Sequence, residues 1–408
     1  MRHDLNLRNE VRTEMKGFKY YTPTEIKFGK EAELQAGTML KKYGATRVFV
    51  HYGSERIVES GLLGRILATL DKEGIAHTEL GGVVPNPRLS KVREGIEIAE
   101  DFGADFLFGV GGGSVLDSLK AIGYGLANDG DVWDFYEHTR KPEKSMPIGF
   151  VLTLSATGSA MSDSSVITNE DGWKKRGCNS DLCRPKFALL DPELTMSVSP
   201  YQTASGSTDI MMHTMERYFN RLGSMDITDT IAEGLLKVVM RNTKIVMEDP
   251  ENYDARAEIM WCESLSHNGL TGCGTDGGDW ACHRLEHELG GLYDVAHGAG
   301  LAAIWGTWAR YVCDDIPDRF YKYAVNVMDV EPSSDRNKVI IQGIEKTEEF
   351  FRSIGMPTDI KGLGVVPTQD ELHLLAEKCE EAVGGRIGSA RILYVEDMYR
   401  IYKNAVER

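Results

Sequence analysis

The sequence contains no Cys-x-x-Cys pair, no internal repeat, no low-complexity linker and no apolar run near the eighteen or so residues that span a bilayer. Seven cysteines, at 178, 183, 262, 273, 282, 313 and 379, are an odd number without metal-ligand spacing, which speaks against a disulfide framework and a thiolate zinc site. They are expected as small buried hydrophobes. Basic residues are also in short supply, since 46 Lys and Arg against 62 Asp and Glu leave a formal charge of -16. Nucleic acid and anionic membranes need clustered cations, so neither is expected as a partner, and a small neutral or weakly charged substrate fits better. The opening MRHDLNLRNEVRTEM has no apolar core behind its basic residue and does not read as a targeting segment, so a soluble cytoplasmic protein is expected.

What is present suffices for more than one core, because 408 residues exceed the usual size of a single one. In the first half short β-rich runs alternate with amphipathic stretches. TEIKF (24–28), RVFVHY (47–52), FLFGVG (106–111), GFVLTL (149–154) and FALLD (187–191) read as strands, and 62–74 and 89–103 as helices with apolar residues every three or four positions. The alternation predicts right-handed crossovers and a mostly parallel sheet whose ligands sit at the carboxyl ends of the strands. SSVITNEDGWKKRG (164–177) breaks the rhythm and reads as an antiparallel hairpin added to that sheet. After Asp191 nearly every segment is helical, beginning with a Ser199 cap and Pro200 in the first turn. The expected organisation is an α/β domain over 1–198 and an all-α domain over 199–408, facing each other across a cleft.

Two strand ends carry nucleotide-binding features. FLFGVGGGSVLDSLKA runs from a buried strand through Gly111, Gly112, Gly113 and Ser114 into a helix, where bare backbone and free N–H groups suit a diphosphate. The loop is neither GxGxxG nor GxxxxGK[ST], and a plain strand-to-helix turn explains it equally well. The end of RVFVHYGSE offers Gly53, Ser54 and Glu55, and a carboxylate there accepts from the ribose hydroxyls and repels a 2′-phosphate, a lean towards NAD that Arg56 beside it opposes. Thr157, Gly158 and Ser159 follow another strand as further donors.

The histidines are grouped. Asp209 and His213 stand four apart on one helix face, as do His283 and His287, and Gly290 and Gly291 are expected to break that second helix so that His297 returns at the start of another. One Asp with two or three His is a nitrogen and oxygen donor set suited to Fe(II), Zn, Mn or Ni. The order His283-Arg284-Leu285-Glu286-His287 is not the His-Glu-x-x-His of a metalloprotease. Capping or core histidines are the plain alternative. Joined to a nucleotide loop, a metal that eases deprotonation of an alcohol points to hydride transfer to nicotinamide.

Taken in order, YYTPTEIKFGKEA (20–32), VVPNPRLSKVREG (83–95), GVGGGSVLDSLKA (109–121), TLSATGSAMS (153–162), FALLDPELT (187–195), the Asp209/His213 helix and WACHRLEHELGGLYDVAHGAGLA (280–302) resemble the iron-containing (group III) alcohol dehydrogenase family, in particular its butanol dehydrogenase-like branch. The resemblance implies a dehydroquinate synthase-like fold and one divalent metal, Fe(II) or Zn(II), on Asp209, His213, His283 and His297. It implies a pyrophosphate loop on Gly111, Gly112, Gly113 and Ser114, with Asp117 near the nicotinamide end. Thr153, Thr157 and Ser159 match further cofactor contacts, and Lys175 a lysine lining the cofactor cleft. His287 matches a histidine that lines the site without binding metal and relays a proton or orients the substrate. A homodimer acting on simple primary alcohols or aldehydes with NAD or NADP is implied. Glu55 and Arg56 stand where the branch usually has a glycine and a serine, a departure from its common NADP preference.

Two alternatives keep the fold. A dehydroquinate synthase-like or glycerol dehydrogenase-like enzyme would act on a polyol or polyanion, and a polyanion would want Lys and Arg where this chain is expected to offer Met211, Met212 and Trp280. A non-catalytic module would retain the site as a staple.

Overall fold

The computed structural model describes residues 15–221 and 225–408, so most of the opening segment read above lies outside the described residues. Among the described residues eight strands precede residue 191: β1 (Glu25–Phe28), β2 (Arg47–Tyr52), β3 (Ala76–Leu80), β4 (Phe106–Gly111), β5 (Ile148–Leu152), β6 (Ser164–Asn169), β7 (Lys174–Asn179) and β8 (Phe187–Leu190). Between them run α1 (Ala36–Lys42), α2 (Arg56–Glu59), α3 (Leu62–Lys72), α4 (Leu89–Phe102), α5 (Gly113–Ala127) and α6 (Trp133–Tyr136). The rest is helical: α7 (Pro200–Tyr218), α8 (Asp226–Glu248), α9 (Tyr253–Ser266), α10 (Ala281–Tyr293), α11 (His297–Val312), α12 (Pro317–Asn326), α13 (Arg336–Ser353), α14 (Gln369–Val383) and α15 (Val395–Glu407).

Six strands form one parallel sheet in the order β1-β8-β5-β4-β2-β3. Its central strands β4, β5 and β8 are buried at every residue, which is why they read as continuous apolar runs. β3 is absent from the sequence-based reading because AHTEL is an edge strand, half-exposed and without an apolar alternation. After β3 the chain returns to lay β4 on the other side of β2, so the direction of winding reverses between β2 and β4. That switch point opens a crevice at the carboxyl ends, where Gly53 follows β2 and the glycine-rich turn follows β4.

The hairpin differs from expectation. β6 and β7 pair antiparallel but form a separate two-stranded sheet and do not extend the main one. They lean instead on α5 and on α10 of the helical part, which leaves the hairpin free to contact both. Ser199 caps α7 by accepting from the Gln202 amide at 3.3 Å, with Pro200 in the first turn. The helices after it share one apolar core that includes the fully buried Trp305 and Trp308. The tail beyond residue 360 has no chemical motif but completes this core: α14 and α15 bury Leu375, Ile401 and Tyr402, and the Tyr402 hydroxyl donates to the Leu285 carbonyl at 2.7 Å. Among the described residues no helix is long and apolar enough to cross a membrane.

His51, buried near the carboxyl end of β2, joins three elements. Its Nδ1 donates to the Leu80 carbonyl of β3 at 2.8 Å, so Nε2 is left to accept from the Ser118 hydroxyl of α5 at 3.0 Å. Burial depresses its pKa to about 4, so the unfolded chain binds a proton that the folded one refuses between about pH 6.5 and 4. Stability therefore rises with pH across that window and is lost as pH falls, by about 3 kcal/mol from this residue. His51→Gln should flatten this part of the pH dependence in urea melts; an unchanged slope would count against the linkage.

Candidate metal and cofactor site

A cavity of about 460 Å3 lies between the carboxyl ends of the strands and helices α7, α10 and α11. Its sheet side carries Gly113, Ser114, Asp117, Thr157, Ser159 and Lys175. A Cβ on Gly113 would stand 2.2 Å from the Thr157 hydroxyl, so only glycine lets α5 begin this close to the loop after β5. Gly111 is also crowded, a Cβ there standing 2.5 Å from Val115, while Gly112 has more room, 3.2 Å from Leu154. Thr153 donates its amide to the Gly111 carbonyl at 2.8 Å. Gly53, Ser54 and Glu55 continue the same edge at the end of β2, outside the cavity itself, with Ser54 and Glu55 exposed.

Asp117 is half-buried at the cavity wall. It accepts from the Ser159 hydroxyl at 2.7 Å and the Val166 amide at 3.1 Å, tying the loop after β5 to the hairpin, and burial holds its pKa above the usual carboxylate value. Beside it the Lys120 ammonium, with no exposed surface, is surrounded by oxygens of Ser159, Ser162 and Ser164 at 2.7 to 3.3 Å. This lysine shapes the loop that presents Ser159.

The opposite wall gathers the predicted ligands. The donor atoms of Asp209, His283 and His297 lie within 4.8 Å of one another. Asp209 Oδ1 is 3.6 Å from both His283 Nε2 and His297 Nε2, and 3.4 Å from His213 Nδ1. His213 stands at the edge of this trio, its ring centroid 4.7 Å from that of His283. Behind the cluster two carboxylates orient the imidazoles. Glu216 Oε1 accepts from His283 Nδ1 at 2.8 Å and Glu286 Oε2 from His297 Nδ1, so both rings turn Nε2 inwards. Among the described residues both Asp209 oxygens and His283 Nε2 are buried without a hydrogen bond. Burial alone would lower the His283 pKa, yet Asp209 and Glu216 outweigh it and push it up to about 9. Orphaned acceptors around a site that attracts positive charge fit a divalent cation.

His287 lies near the cluster, its ring 5.7 Å from that of His297 and its Nδ1 buried and unpaired. Burial, with the Lys175 charge, holds its pKa well below the usual histidine value, so the ring is neutral at pH 7. Lys175 pairs with Glu286 at 3.2 Å and so connects the hairpin to the carboxylate that holds His297.

The two halves of the chain match separate family models, iron-containing alcohol dehydrogenase over residues 23–192 and the C-terminal domain of the Fe-containing alcohol dehydrogenase family over 203–406. The chain is 40% identical to the NADH-dependent butanol dehydrogenase A of Clostridium acetobutylicum over 96% of its length and 100% of that protein's. The chain belongs to the iron-containing alcohol dehydrogenase family. It is also 33% identical to the NADPH-dependent aldehyde reductase of Escherichia coli, over 96% of this chain and 100% of that one. The crystal structure of an NADH-dependent butanol dehydrogenase A from Thermotoga maritima superposes with a TM-score of 0.93 at 35% identity, covering 97% of this chain and 100% of that one. The fold of this family member is thus dehydroquinate synthase-like, as its motifs imply.

Two local expectations need correction. α10 runs uninterrupted through Gly290 and Gly291 and stops at Asp294, whose φ of 52° reverses the chain before His297. The glycines serve close packing instead, since a Cβ on Gly291 would stand 2.9 Å from the Trp173 carbonyl of the hairpin. Met211 and Met212 lie in the helical core away from the cavity, Met211 on the face of α7 opposite Asp209 and His213 and Met212 on its flank. Trp280 does line the cavity, and so do Lys175, Arg217 and Arg284, so the wall is more basic than the sequence suggested.

Sequence reasoning missed Glu216, Glu286, Lys120 and His267. Glu216 was detectable, three residues after His213 on the same face of α7, and Glu286 likewise follows His283 by three. His267, buried with its ring 4.0 Å from that of His213, comes from the end of α9 and has no spacing signal. Glu216→Gln should lower the affinity for Zn(II) or Fe(II) ten- to a hundredfold. Competition with a chromogenic chelator measures this, and unchanged affinity in a well-folded variant would deny Glu216 its orienting role.

Proposed function

We propose that this protein is an NAD(P)-linked alcohol dehydrogenase and aldehyde reductase, with residues 1–198 carrying the cofactor and residues 199–408 the metal. The observation that carries this reading is the shared cavity, with a nucleotide-type turn at Gly113 and Ser114 on one wall and Asp209, His283 and His297 on the other. Asp209, His213, His283 and His297 would hold one Fe(II) or Zn(II), which supplies Lewis acidity towards an alcohol or aldehyde oxygen. Gly111, Gly112, Gly113 and Ser114 hold the pyrophosphate at the start of α5. Thr153, Thr157, Ser159 and Asp117 direct the nicotinamide end, and Lys175 lines its cleft. A bound nicotinamide would supply the hydride for the aldehyde carbon in reduction or take it up in oxidation, leaving the residues of the cavity to deliver or accept the one proton on the oxygen.

His287 manages that proton. Its neutral ring, with an unpaired buried Nδ1, can hold a hydrogen at one nitrogen and offer the other to the substrate side. Gly53, Ser54 and Glu55 receive the adenosine ribose, and the Glu55 carboxylate favours NAD because it repels a 2′-phosphate. The NADH-dependent relatives at 36 to 40% identity support this lean. A cytoplasmic homodimer acting on short primary alcohols or aldehydes completes the proposal.

A steady-state panel of short aldehydes with NADH and NADPH, after reconstitution with Fe(II) or Zn(II), tests it. Butanal should be reduced with NADH preferred; absence of turnover with every short aldehyde would refute the reading. His287→Ala should lower kcat about a hundredfold, whereas a purely structural histidine would alter melting temperature and leave kcat near that of the parent. Glu55→Ser should move the NADPH to NADH ratio of kcat/KM upward about tenfold, and an unmoved ratio would remove Glu55 from the ribose site.

A further inference from the structure

α10 places Arg284 directly after His283, so the two side chains leave the helix about 100° apart. His283 turns to Asp209. Arg284 turns to the hairpin, where its Nη1 stands 3.8 Å from the position a Cβ would take on Gly177, and it lines the same cavity. Gly177 leaves open the space that any larger residue of β7 would fill.

The other cations of the cavity wall have partners. Lys175 is paired with Glu286, and Arg217 donates to the carbonyls of His213 and Ser266 and lies over the Trp280 ring. Arg284 has neither a side-chain hydrogen bond nor an ion pair among the described residues. The carboxylate one turn on, Glu288, is taken by Arg176 at 2.8 Å. Desolvation lowers the Arg284 pKa, but a guanidinium remains protonated in proteins; the half-buried side chain feels the Glu288 and Glu216 carboxylates only through space, so its N–H donors are left to whatever enters the cavity. A planar fork of N–H donors matches a carboxylate in two parallel hydrogen bonds.

We propose that the substrate of this enzyme is a short aldehyde or alcohol bearing a carboxylate at its far end, and that Arg284 binds that carboxylate while the reacting carbon faces the Asp209, His283 and His297 cluster. This rests on the dehydrogenase reading above and departs from the neutral substrate that the overall charge of -16 favours. A chain that repels anions in general needs a local cation to admit one. The reaction balances as for any aldehyde: hydride from NADH joins the carbonyl carbon, a proton joins the oxygen, the nicotinamide is oxidised, and the carboxylate is unchanged.

Butanal and 4-oxobutanoate share a four-carbon chain and differ at the far end, methyl in one and carboxylate in the other. With the metal-loaded full-length enzyme and saturating NADH, kcat/KM should favour 4-oxobutanoate at least tenfold. Arg284→Met should reduce that ratio at least tenfold, mainly through KM for 4-oxobutanoate, and Arg284→Lys should fall between. A parent enzyme that favours butanal, or a ratio that Arg284→Met leaves unmoved, overturns the proposal. So does a rise in KM for NADH or NADPH with the aldehyde ratio unchanged, which would assign Arg284 to a cofactor phosphate. If neither aldehyde is reduced, the dehydrogenase reading fails, and binding still decides the anion site. 4-Hydroxybutanoate should raise the melting temperature of the parent and not of Arg284→Met, and equal or absent protection overturns it.

Discussion

Buried negative charge set behind histidines is the constraint on which the site depends. Glu216 and Glu286 each take the Nδ1 of one imidazole, and because a ring has only two nitrogens this decides that Nε2 of His283 and of His297 faces Asp209. The protein's own groups leave the Asp209 oxygens without a hydrogen bond. Such a surplus of buried acceptors is answered by a proton on His283, whose pKa is raised, or by a cation. The same geometry that makes the cluster costly without positive charge makes it receptive to a metal.

The rest of the structure holds the two walls in register. α10 carries His283, Glu286 and His287, and it is gripped from three sides. Lys175 and Arg176 of β7 pair with Glu286 and Glu288, the Tyr402 hydroxyl of α15 reaches the Leu285 carbonyl, and Asn86 and Arg88 hold Asp294 just past the helix end at 2.9 and 3.0 Å. The hairpin can do this only because it stands apart from the main sheet. Across the cavity Lys120 performs the matching task for the loop after β5, replacing water with serine oxygens and so presenting Ser159 to Asp117. Close approaches finish the alignment: a Cβ on Gly298 would stand 1.9 Å from the Ser205 carbonyl, so α11, which begins at His297, packs directly on α7, which bears Asp209.

Much of this was legible in one dimension. Buried parallel strands show as apolar runs, and β2 and β4 match their sequence-based limits because apolar residues, mainly β-branched and aromatic, fill most of each. Asp209 and His213, and His283 with His287, are visible as pairs because a helix repeats every three to four residues. β3 was not visible, since a half-exposed edge strand has no obligatory pattern. The hairpin's detachment depends on which surface it meets, and no local residue records that. The absence of basic groups around the cluster was misjudged because Met211 and Met212 neighbour Asp209 and His213 in sequence yet turn into the helical core.

The sequence by itself determined the alternation of strand and helix, the glycine-rich turn and the two histidine-bearing helices, because each follows from backbone periodicity and the space a glycine leaves. Only the tertiary structure decided which nitrogen of each histidine faces Asp209, that Glu216, Glu286 and Lys120 support the two walls, and that Arg284 stands in the cavity without a partner. Those properties are distances and charges between groups far apart in the chain, and they exist only once the helices and the hairpin have packed.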